Sequence, residues 1–166
     1  MPEITGICPG CGLALKSTNQ DMDGRYNASQ SCVALYLKLT VFTLSLQDTD
    51  FVHQLVVDTY AAQHSGPDMK PITITFALIG LYLAFERGYT GREVQQAHMA
   101  LGKKHREWPR FNAPPGKASL TVGDVLQSGK EESYIENIRT WGKSVWYMWQ
   151  AEHIKVAGLV EMCLKV

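Results

Sequence analysis

Cys8-Pro9-Gly10-Cys11-Gly12 carries the strongest chemical signal in this chain of 166 residues. Two thiols three apart, with Pro and Gly between them and Gly after, form the turn of a zinc knuckle. The glycines permit the tight backbone path that aims both sulfurs at one ion. The same spacing serves thioredoxin-like redox chemistry, which requires a preceding strand and a following helix within a βαβ pattern. Neither is apparent here. Two unremarkable reduced thiols are the third reading. The zinc reading leads, with Zn2+ as the cofactor.

A knuckle supplies two ligands and a structural zinc site needs four. The candidates are Cys32, Cys163 and the five histidines His53, His64, His98, His105 and His153. Cys32 lies sixteen residues before Asp48, and His64 lies sixteen after it. If two helices flank a turn at 47–49 as an antiparallel hairpin, equal counts place both residues at its open end. The N-terminal segment leads into that same end, so Cys8, Cys11, Cys32 and His64 form the expected metal set. His53 sits near the turn, about 16 Å along the helix from His64, too far to share an ion. Cys163 falls on the apolar stripe of the last helix and is expected to pack rather than ligate. The plainer readings are a core thiol for Cys32 and a helix-terminal histidine for His64.

A second constellation is His53, Asp58 and Tyr60. Here His53 would act as general base with Asp58 or Tyr60 as its partner. Five-residue spacing keeps His53 and Asp58 off one common face, and a polar network between helices is the competing reading. The aromatic run Trp146-Tyr147-Met148-Trp149 with Trp141 suggests a central helix or a pocket wall. Core packing is its default role. As an alternative function, a metal-dependent enzyme would line its pocket with His53, Asp58, Tyr60 and the Trp141–Trp149 helix face. The run Lys103-Lys104-His105-Arg106, with Trp108, Arg110 and Phe111, has the mixture that holds phosphate or a single-stranded base. A solvated surface run is the commoner meaning.

The segment from Val52 to His64 reads VHQLVVDTYAAQH. Together with CPGCG at Cys8–Gly12, Cys32 near the first helix start and LTVGDV at Leu120–Val125, it resembles a family of small bacterial proteins known only as a domain of unknown function. The resemblance covers about residues 7 to 155. It implies no activity, since none is established for that family. Ser65-Gly66 stands where the pattern places a proline directly after the histidine.

Positioning these residues requires helices. Cys32, Leu35, Leu39, Phe42 and Leu46 keep three-four spacing and predict a first helix over 29–46. Asp50 is a plausible N-cap for a second helix to His64, ended by Ser65-Gly66-Pro67. Pro71 opens a third helix over 72–87 that closes at Gly88. Thr90 to Glu93 fits a capping box for a fourth, ending near Leu101. Residues 102–119 read as loop, and Thr121 with Asp124 makes a box for a short helix to Leu126. Tyr134, Ile138, Trp141, Val145, Met148, Val156, Leu159 and Cys163 predict one long last helix, bent near Gly142 or Gly158. No strand or hairpin signal stands out. The expected fold is an all-α compact helical bundle in a single domain, 1–166. Residues 1–27 would be an irregular zinc-pinned segment and 28–166 the bundle.

Composition narrows the function classes. Sixteen Lys+Arg balance sixteen Asp+Glu, a poor basis for binding nucleic acid or a membrane surface. The charge is uneven: residues 1–69 hold three basic and seven acidic side chains, residues 87–117 seven basic and two acidic. The apolar run 72–85 is too short to span a bilayer. No export signal is visible, so the cysteines are expected in the reducing cytoplasm. The reading that emerges is a zinc-binding helical protein with a structural Cys3His site. Its role would be a binding or regulatory module for an unidentified small molecule or protein. Whether it is also an enzyme is left open.

Overall fold

The computed structural model describes residues 5–16, 25–104 and 107–164. Ile4 and most of the polar run 17–25, with Met22, lie outside the described residues, as do His105 and Arg106 of the basic run. Seven α-helices carry the described chain: α1 (Gln30–Ser45), α2 (His53–Gln63), α3 (Pro71–Glu86), α4 (Gly91–Lys104), α5 (Val122–Leu126), α6 (Tyr134–Met148) and α7 (His153–Leu164). The fold is all-α apart from one small sheet. That sheet corrects the expectation of a strandless N-terminal segment. β1 (Thr5–Ile7) and β2 (Ala14–Lys16) pair antiparallel, Gly6 opposite Leu15, on either side of the CPGCG turn. Three-residue strands are too short to show an alternating pattern, so the turn rather than the strands is what the sequence reveals.

Local chemistry sets most helix ends. Ser29 Oγ accepts from Cys32 N at 3.2 Å and starts α1. Pro71 occupies the first turn of α3, and Gly88, at φ 69°, follows its end. Thr90 and Glu93 exchange reciprocal cap bonds before α4, and Thr121 and Asp124 make the box at α5. The start of α2 differs from expectation. Asp48, not Asp50, supplies the carboxylate, accepting from Val52 N at 2.9 Å. Gln47 and Phe51 take left-handed φ values of 50° and 53° to turn the chain there, a conformation costly for bulky residues.

The last element also departs from expectation. Instead of one helix bent at a glycine, the chain breaks at Trp149 and passes through a 3-10 turn, Gln150–Glu152, into α7. His153 Nε2 donates to the Trp146 carbonyl at 2.8 Å, and its ring stacks on Trp146 at 3.6 Å. The histidine thus caps the helix that would otherwise have continued through it. The apolar period runs across the break unchanged, so periodicity alone hides it.

α2 packs most extensively on α3 and then on α6. Its eight buried positions and the nine of α3 make this pair the centre of the core. Trp141, Trp149, Tyr60, Leu39, Leu78 and Ile138 are among the largest fully buried side chains. The stretch Ile72–Thr75, strand-like in residue type, is helical because Pro71 fixes the first turn and the apolar run continues into the core. No helix among the described residues is long and apolar enough to cross a membrane.

Candidate metal centre

The antiparallel α1–α2 hairpin brings Cys32, in the first turn of α1, level with His64, just past the end of α2. Cys32 Sγ lies 3.4 Å from His64 Nε2. The knuckle delivers the other two thiols from the β1–β2 turn, and Cys11 Sγ is 3.8 Å from Cys32 Sγ. One ligand atom from each of Cys8, Cys11, Cys32 and His64 falls within 4.8 Å of every other, and all four residues are buried.

The backbone explains why the turn can reach. Gly12 N donates to Cys8 O and Cys8 N to Leu13 O, both at 2.9 Å. Gly12 adopts φ 81°. Gly10 faces a different constraint. A Cβ there would lie 2.3 Å from Asn27 O and 2.6 Å from His64 Cδ2, so only glycine lets the turn close on the histidine. Asn27 N donates to His64 O at 2.9 Å, tying the entry to α1 to the exit from α2. Lys117 Nζ donates to Pro9 O and Gly10 O at 2.6 and 2.8 Å and clamps the turn from outside.

A second layer orients the donors. His64 Nδ1 donates to Tyr60 O at 2.9 Å, which leaves Nε2 as the lone-pair nitrogen facing the sulfurs. Tyr60 Oη donates to Cys32 Sγ at 3.4 Å. The Tyr60 ring stacks on His64 and on Tyr36, each at 3.9 Å, and Tyr26 closes edge-on. This aromatic wall keeps water from the cluster.

The donor set fits a tetrahedral ion. Bonds of about 2.3 Å to sulfur and 2.0 Å to nitrogen give edges of roughly 3.8 Å between sulfurs and 3.5 Å from sulfur to nitrogen. The Cys11–Cys32 and Cys32–His64 separations are 3.8 and 3.4 Å, and all the donor atoms lie within 4.8 Å of one another. Contacts with Cys11 and Cys32 hold the Cys8 thiol far below its ordinary range, whereas contacts with Cys11 and Cys8 push Cys32 far above it. Three sulfurs this close cannot all carry charge without a cation between them. The cluster can therefore hold a metal ion, through four protein atoms.

The second constellation does not assemble. His53 remains at the turn end of α2, with Nδ1 2.9 Å from Thr43 Oγ1. Asp58 Oδ1 accepts from Gln54 Nε2 at 3.1 Å, and Tyr60 belongs to the metal centre. The tryptophans serve the core. Trp141 Nε1 donates to Gln63 Oε1 and Trp149 Nε1 to Ala62 O, at 2.8 and 3.0 Å. In the basic run, Trp108 packs edge-on to Phe76, and Lys155 lies 4.5 Å over the Phe111 ring. Both aromatics are half-buried. Cys163 lies outside the metal cluster.

Two contributors escaped the sequence reading. The Tyr60–His64 spacing of one helical turn could have revealed Tyr60 as the residue orienting His64. Lys117 had no signal, because its partners lie more than a hundred residues away.

Among known proteins, a family model described as a family of unknown function, DUF5946, matches residues 6–150. No curated protein and no solved structure matches the chain.

Proposed function

The chain belongs to the DUF5946 family, a family of unknown function, and from that premise we propose that it is a zinc-dependent helical binding or regulatory module whose ion is structural. The observation that carries this reading is the closed donor set: three thiols and one imidazole, all buried, surround one point. A catalytic zinc keeps a position for water or substrate, whereas four protein ligands fill the shell. Three soft thiolates with one imidazole favour zinc over magnesium or calcium, which take oxygen ligands.

The ion's work is to fasten the N-terminal hairpin to the open end of α1–α2. The hairpin brings little apolar anchorage of its own: Ile7 is 70% exposed, while Leu13 and Leu15 are only partly buried. A crosslink through the ion replaces the missing hydrophobic attachment. The thiolates it requires suit a reducing compartment, and we place the protein in the cytoplasm. Its partner would be a small molecule or a protein.

Elemental analysis of protein purified without added metal, combined with X-ray absorption at the zinc edge, tests the proposal. One zinc per chain in a shell of three sulfurs and one nitrogen is expected. Metal content near zero, with thiols that titrate freely in the folded state, would overturn it. An oxygen ligand in the shell would transfer the ion from a structural to a catalytic role.

A further inference from the structure

A cleft of about 310 Å³ opens between α2, α3, the start of α4 and α6, with Asp58 and Gly80 in its lining. Asp58 is 4% exposed. Gln54 engages Oδ1, but Oδ2 has no hydrogen-bond partner among the described residues. It rests against Gly80, where a Cβ would lie 2.0 Å from it. The carboxyl lines the cleft, where a ligand can reach it.

The lining of the cleft also carries cations. Arg139 and Lys143, four apart on α6, both line it and are exposed. Thr90 and Gly91 bring the positive end of α4 to the same opening. Asp50 is the one carboxylate that shares this rim, leaving the two cations in excess. Leu55, Ala84 and Phe85 give the cleft apolar walls. A volume near the lower end of small-molecule sites, apolar walls and a few convergent polar groups are the marks of a ligand pocket.

We propose that this cleft binds a small organic anion, its charged head on Arg139 and Lys143 and an acceptor atom at its far end on the Asp58 carboxyl. The polar groups behind Asp58 hold that carboxyl in place. Gln54 Nε2, besides donating to Oδ1, lies 3.4 Å from His98 Nδ1, and His98 Nε2 donates to Phe76 O at 2.8 Å. Burial raises Asp58 well above the usual carboxyl range, which favours the protonated form, a donor to an acceptor on the ligand. An inorganic ion would satisfy the rim and leave Oδ2 unmet. A cationic ligand would meet two like charges at the entrance. The inference names the ligand of the binding role proposed above but makes no use of the metal.

The test titrates 4-acetylbenzoate, a benzoate whose far end carries an acceptor, with the matching benzyl alcohol and benzylamine as its neutral and cationic counterparts, into protein of measured metal content, followed by amide NMR shifts. The benzoate is expected to move amides of residues around Gly80, Phe85 and Gly91, and the two counterparts to bind at least about tenfold more weakly. Arg139→Gln with Lys143→Gln should weaken the benzoate by about tenfold or more, and Ala84→Phe should abolish its binding by filling the cleft. Asp58→Asn, which keeps a donor, should stay within about threefold, whereas Asp58→Leu should lose binding. If Asp58→Leu does not fold, the rim pair and Ala84→Phe decide alone. The proposal is overturned if the benzylamine is preferred, if the rim pair leaves binding of the benzoate unchanged, or if the benzoate moves no cleft amide at about 10 mM. Protein that carries its full metal and ignores the benzoate defeats this inference and spares the zinc reading. Protein that binds the benzoate without metal does the reverse.

Discussion

Two groups of polar side chains lie on α2 within two helical turns of one another, and they meet burial in different ways. At its C-terminal end, Tyr60 and His64 give their polar atoms to defined neighbours: Nδ1 to a carbonyl, Oη to a sulfur, Nε2 to the thiol cluster. Midway along, Asp58 is also buried, but it lines a cleft, beside a helix carrying Arg139 and Lys143. The contrast shows how one helix can combine a joint with a receptor. A site closed by the chain's own atoms gives rigidity; one that borders an open cleft gives room for a ligand.

The harshest way to separate the two is to remove the metal. Chelation, or Cys11→Ser, is expected to raise amide exchange in residues 5–16 and 25–30 by roughly a hundredfold, with α6 and the Asp58 cleft largely protected. Hydrogen exchange resolved by segment would show it. Unchanged protection at the N-terminus after verified metal loss would mean that the hairpin stands without its crosslink.

A smaller blow falls on the cleft. Gly80→Ala drives a methyl into Asp58 Oδ2 and should destabilise by about 2 kcal/mol. In Asp58→Ala the same change should be nearly free, a coupling that a double-mutant cycle in urea reads directly. Additive effects would deny that the carboxyl depends on this glycine.

The pH dependence of stability separates the regions further. Burial lowers His98 from 6.5 to about 4. The unfolded chain therefore takes up this proton before the folded one. The stability it contributes is present above about pH 6.5 and is lost as pH falls toward 4, on the order of 2 kcal/mol. Asp58, raised above 3.8, acts in the opposite sense: its contribution is present at low pH and lost as pH rises through its folded value. The difference between wild type and His98→Gln isolates the histidine, and a difference that stays constant between pH 6.5 and 4 would refute its buried neutral state. The mildest change is Cys163→Ala, expected to keep the full metal content and lose about 1 kcal/mol of packing. Zinc loss there would place Cys163 nearer the cluster than the fold does.

Much of this was legible in advance where the signal was local. Pro71, Gly88 and the Thr90–Glu93 and Thr121–Asp124 boxes mark helix ends through bonds spanning a few residues. The equal counts from Asp48 brought Cys32 and His64 together because straight helices convert sequence distance into length. What stayed hidden depends on distant neighbours. The break at Trp149 involves no proline or glycine; it rests on an indole bond to Ala62 and on the His153 cap. Asp58 looked like a partner for His53. Its real setting requires Gly80 and His98, which only the packing of α3 and α4 reveals.

The tryptophan bonds have a practical consequence. Trp149 holds the Ala62 carbonyl and Trp141 holds the Gln63 side chain, the two positions just before the candidate ligand His64. Any loosening of that helix end on metal loss reaches both indoles, whose emission responds to solvent and hydrogen bonding. The chain thus carries a built-in optical gauge of the proposed metal joint, readable without label or assay.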